Sequence, residues 1–123
     1  MVMTMSAENK LISGAQSVID WSAKVLKDSN LTKTQREDLE AIKTSATRFL
    51  EYANDKMDII RNGASPEELQ RVRHDLKNHL NIINGFSRIF VKDLPDNLLL
   101  HMKQIRNINA TSQELIDEVE GIR

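Results

Sequence analysis

The chain falls into four segments in which apolar residues recur every three or four positions, the period of one buried helix face. In the first, Leu11, Ala15, Val18, Ser22 and Val25 share a face; Ser6 followed by Glu8 marks its start and "KDSN" (27–30) its end. The second carries Leu39, Ile42, Ala46, Phe49, Ala53, Met57 and Ile60. Thr34 and Glu37 have capping-box spacing at its start, and in "NGAS" (62–65) Gly63 suits a left-handed C-terminal cap. The third opens on "SPEE", with Ser65 as N-cap, Pro66 at the first helical position and Glu68 three residues after the cap. It buries Leu69, Val72, Leu76, Leu80, Ile83, Phe86 and Phe90. "KDLPDN" (92–97) turns the chain, and Pro95 begins a fourth helix with Leu98, Met102, Ile105, Ile108, Ser112, Leu115, Val119 and Ile122 inward. These spans run to roughly 23, 28, 28 and 25 residues with short connections, which favours antiparallel neighbours. The pattern predicts an all-α, antiparallel four-helix bundle forming one domain over residues 1–123.

Composition narrows the function. Basic residues number 17 and acidic residues 18, so nothing suggests a nucleic-acid footprint or an electrostatic grip on membranes. Cysteine is absent, which removes disulfides, thiolate metal sites and cysteine nucleophiles and fits a reducing cytoplasm. "MVMTMSAENK" lacks the basic and apolar regions of a signal peptide, and no run reaches the ~18 apolar residues of a membrane span. A cytoplasmic protein is expected. The register still runs at "EGIR", which fits a piece of a longer chain. Of the five methionines, three lie in the first five residues, as a flexible start or core fillers.

The wet side of the third helix carries the candidate chemistry. With Leu69, Val72, Leu76 and Ile83 inward, His74 faces outward, followed along one flank by Asn78, Asn81, Gly85 and Arg88. A solvated face without a task prefers Glu, Lys and Ala, because Asn and Gly cost helix stability. A strip of small, weakly charged residues below a histidine reads as a docking surface. His79, five residues on, is off that face and makes no metal pair with His74, and His101 is expected to be solvated in the first turn of helix four.

"HDLKNHL" (74–80) resembles the H-box of the dimerisation and histidine-phosphotransfer domain of bacterial histidine kinases, and is similar to that of sporulation-type phosphotransferases. "NIINGFSRIF" and "QIRNINATSQELIDEVEGI" resemble the rest of that helical hairpin, so the likeness covers residues 70 to 122. His79 stands where many members have a helix-bending proline, which predicts a straighter helix. The resemblance implies that His74 is phosphorylated and that Asp75 accepts a hydrogen bond from one ring N–H and takes up the proton as the other nitrogen attacks. It implies that Asn78 orients water for hydrolysis of a partner's aspartyl phosphate. Lys77, Asn81, Gly85 and Arg88 would meet a response-regulator receiver domain, which would bring its own magnesium; this chain would hold no cofactor or metal.

The first half also reads as a faded copy of the second. "LISGAQSVI" (11–19) aligns with "IINGFSRIF" (82–90), matching Ile12 to Ile83 and Gly14 to Gly85. In the same way 42, 46, 49 and 53 fall on 105, 109, 112 and 116. Residues 6–62 would then be a degenerate hairpin without the histidine, where "MTMSAEN" stands instead, and 65–122 the H-box hairpin. The bundle that such kinases build from two chains would be a single-chain pseudo-dimer, a monomer in isolation although family members usually form homodimers. Its four glycines are too scattered for a phosphate-cradling loop, so a separate kinase or phosphorylated receiver must supply phosphate. Two readings stand: a histidine phosphotransfer module, or a helical scaffold that docks signalling proteins without phosphate chemistry.

Overall fold

The computed structural model of the chain describes residues 5–122, with side chains from Ala7 to Ile122. The expected cap at Ser6, Met1 and Met3, and the start of "MTMSAEN" lie outside those described side chains. Four α-helices follow one another: α1 Met5–Leu26, α2 Lys33–Arg61, α3 Pro66–Lys92 and α4 Met102–Glu120, with a 3₁₀ helix at Asp96–His101 leading into α4. Neighbours pack as α1 on α2, α2 on α3, α3 on α4 and α4 back on α1. The architecture is an all-α four-helix bundle closed by one chain, and among the described residues there is no strand. No helix is long and apolar enough to cross a membrane.

The periodic stripes form its core. Every inward position expected on the first two helices is buried, from Leu11 to Val25 and from Leu39 to Ile60. Towards the end of α3 Ser87 is fully buried, while Phe86, expected inward, is partly buried at the edge. The reason lies on α4: Asn109 Nδ2 donates to Ser87 Oγ (3.1 Å) and Asn84 Nδ2 to Ser112 Oγ (3.1 Å). This polar seam leaves room for a serine and not for a phenyl ring. Of the positions expected inward on α4 only Met102, at its join with the 3₁₀ helix, is half-buried; Ile105, Ile108, Ser112, Leu115, Val119 and Ile122 are buried, and Ile116 joins them at the edge of the stripe.

The ends are set by local chemistry. Ser65 caps α3 with Pro66 in the first turn, and the Ser65 and Glu68 side chains each bond the other's backbone N–H. Gly63 sits at φ +86°, the left-handed turn its position requires. The α2 box is not Thr34 with Glu37. Thr32 caps the helix and Gln35 closes the box, because Gln35 is also buried and exchanges hydrogen bonds with Asn97. Pro95 precedes the 3₁₀ helix and does not open α4. His101 is not solvated: its Nε2 lies 2.7 Å from Asp28 Oδ2, tying the 3₁₀ helix to the α1–α2 turn, with both side chains less than a fifth exposed. At the other end Glu8 is buried, and Arg61 donates to it from Nε (2.8 Å) and from Nη2.

The proposed internal repeat meets a mixed packing pattern. Ile42 and Ile105, Phe49 and Ser112, and Ala53 and Ile116 are buried in matching places, whereas Ala46 is buried and Asn109 is not. Across α1 and α3, burial pairs Leu11, Ala15 and Val18 with Ile83, Ser87 and Phe90. That is one residue away from the Ile12–Ile83 alignment, since Ile12 is half-buried and Ile82 is exposed.

Candidate functional site

α3 runs uninterrupted from Pro66 to Lys92, so residues three, four and seven apart line up along its surface. The His74 side chain is 73% exposed. Asn78, Asn81, Gly85 and Arg88 are exposed below it, as the helical period requires. Gly85 is the most open point: a Cβ there would meet nothing within 4 Å. Lys77 is half-buried and pairs with Glu120 at 3.0 Å, while Arg73 Nη1 donates to the Ile122 carbonyl at 2.7 Å. These two contacts pin the end of α4 beside the histidine. A shallow groove on this side of α3 is lined by Gln70, Arg73, His74, Lys77, Asn78 and Asn81.

Asp75 is placed differently from the simple His–Asp pair. Its Oδ1 stands 3.6 Å from His74 Nδ1, beyond hydrogen-bond range, so the expected bond is not formed. Its Oδ2 instead accepts a 2.8 Å hydrogen bond from the Tyr52 hydroxyl on α2. Burial, and then the bond to Asp75 and that carboxylate's charge, push the Tyr52 phenol well above its usual range, so it remains a proton donor. The tyrosine ring is tilted against His79, centroids 6.4 Å apart, with the Lys56 ammonium 5.7 Å from its centroid. Burial, with the Arg48 charge, lowers the His79 pKa; Asp75 opposes this. His79 is thus a half-buried packing group, whereas His74 is open to a partner.

Three participants escape a sequence reading. Ile82 and Ile89 are 42% and 65% exposed, and with Asn78 and Gly85 they give the flank an apolar edge. Their signal was present: assigning Ile83 and Phe90 to the core puts the preceding isoleucines outside. Tyr52 had no such signal, since its relation to Asp75 exists only once α2 packs on α3. Among the described residues no group of three or more His, Cys, Asp and Glu side chains could hold a metal ion. The chain finds no match among protein-family models, curated proteins or solved structures.

Proposed function

We propose that the chain is a histidine phosphotransfer module, exchanging phosphate between His74 and the aspartate of a response-regulator receiver domain. The observation that carries this reading is an open imidazole whose Nδ1 faces a carboxylate, above a helix flank cleared by Gly85. The H-box resemblance of residues 70 to 122 supports the same chemistry. With Nδ1–H turned toward Asp75, the lone pair on Nε2 attacks the phosphorus of an aspartyl phosphate. The bond to the aspartate oxygen breaks and the partner's carboxylate leaves. The positive charge that develops on the ring is offset by Asp75, which receives the Nδ1 proton. Asn78, one turn along, is placed to orient water against a docked acyl phosphate. The phosphate source is a separate kinase or a phosphorylated receiver.

The scaffold reading draws on Ile82 and Ile89, which would serve docking whether or not phosphate moves. Incubation with labelled phospho-receivers and kinases separates the two. Acid-labile, base-stable label is expected on the wild-type protein and none on His74→Gln, with ATP alone inert. A large residue at Gly85 is expected to weaken receiver binding without loss of helicity. Receiver binding without label would favour the scaffold, and label that persists in His74→Gln would show that His74 is not the phosphorylated residue.

A further inference from the structure

We infer that Tyr52 is a positioning residue for His74, acting through Asp75, so that the hairpin without the histidine completes the site. This rests on the phosphotransfer reading for its consequence but not for its geometry. A lone aspartate next to a histidine on a helix surface can rotate into water. Here one carboxylate oxygen is held by Tyr52, 23 residues away and on another helix, at 2.8 Å. That bond fixes the carboxylate so that the second oxygen is directed at His74 Nδ1, from which a small movement makes the hydrogen bond.

Three features support the role. The phenol stays protonated, because burial and the facing carboxylate disfavour its anion, so it always donates. The ring is itself held by packing against His79 and by Lys56 above it. Arg71 and Asp55 are the other charges acting on the phenol, with opposite effects, and neither replaces Tyr52 as a donor to Asp75 in the structure. The selected tautomer carries its proton on Nδ1 and leaves Nε2 as the nucleophile.

The test is Tyr52→Phe, which keeps the ring and removes the hydroxyl. With ¹⁵N-labelled histidine, the His74 shifts of the variant are expected to move from the Nδ1–H tautomer toward Nε2–H. Phosphotransfer should slow by roughly three- to ten-fold, the net range of one hydrogen bond. Both effects should vanish in an Asp75→Asn background, because the route runs through that carboxylate. An unchanged tautomer ratio, or the same change with Asp75→Asn, overturns the proposal. Tyr52 is the chain's single tyrosine, so uniform 3-fluorotyrosine labels this site alone. If the phenylalanine variant does not fold, this more acidic phenol keeps the packing and should change the His74 tautomer ratio; no change refutes the role. If the wild-type protein takes no phosphate, the functional reading fails while the tautomer measurement still decides whether Tyr52 sets the ring.

Discussion

Gly85 and Gly14 occupy interior positions of α3 and α1, and their surroundings differ. A Cβ on Gly14 would stand 2.7 Å from Leu115 Cδ2 and within 3.2 Å of two further atoms of that side chain. These atoms are the far end of the Leu115 side chain, which borders an open groove together with Gly14, Ser17 and Thr111, so the leucine must shift to admit a Cβ and has space to do so. Nothing approaches Gly85, and glycine inside a helix costs about 1 kcal/mol relative to alanine. Gly85→Ala is therefore expected to raise unfolding stability by roughly 0.5–1 kcal/mol. Gly14→Ala should gain less, since Leu115 has to shift, both read from urea unfolding curves. A destabilised Gly85→Ala would show that the flank is constrained from within and would remove a main reason for reading it as a docking surface. The outward placement of His74 and Gly85 was legible from period alone, because exposure on a helix follows from counting residues. The Tyr52–Asp75 bond was not, since it depends on how two separately legible helices are rotated against each other.

At the scale of elements, what reads best is what is local. "SPEE" specifies its own cap and first turn within four residues, and α3 starts where those residues place it. The start of α2 is ambiguous in the same language: Thr32 with Gln35 and Thr34 with Glu37 have identical spacing. Packing decides between them. Gln35 is buried against Asn97, and Arg36 donates to the carbonyls of Leu26 and Asp28 (2.9 and 2.8 Å), which fixes the α1–α2 turn around a helix starting after Thr32. Thr32→Ala should accordingly cost about 1 kcal/mol of stability. Thr34→Ala, at an exposed position beyond the cap, should stay within about 0.5 kcal/mol. Equal costs in thermal melts would mean that the helix end frays between two caps. The 3₁₀ entry to α4 and the His101–Asp28 contact failed to show for the same reason as Gln35. Their partners lie 62 and 73 residues away, and only the closed bundle brings them together.

At the scale of the whole molecule, closure by one chain has a consequence for assembly. A two-helix hairpin leaves one long apolar face open and needs a second hairpin to cover it. Here α1 and α2 already cover that face: α2 lies on α3, α1 on α4, and the core residues of all four helices are excluded from water. The large apolar side chains left outside among the described residues are Ile59, Ile82, Ile89, Leu99 and Leu100. Ile82 and Ile89 border the His74 flank, and Leu99 and Leu100 sit on the 3₁₀ helix leading into α4. Such isolated side chains are ordinary on soluble surfaces and fall short of the apolar interior of an obligate dimer interface. The protein is expected to be a monomer at micromolar concentration, with light scattering giving the mass of one chain. A stable dimer would overturn this, and its loss in Ile89→Lys would place the interface on the Ile82–Ile89 edge. In the monomer the same substitution should leave mass and helicity unchanged and, on the proposed phosphotransfer or docking reading, weaken receiver binding alone, because Ile89 is exposed on the outside of the bundle.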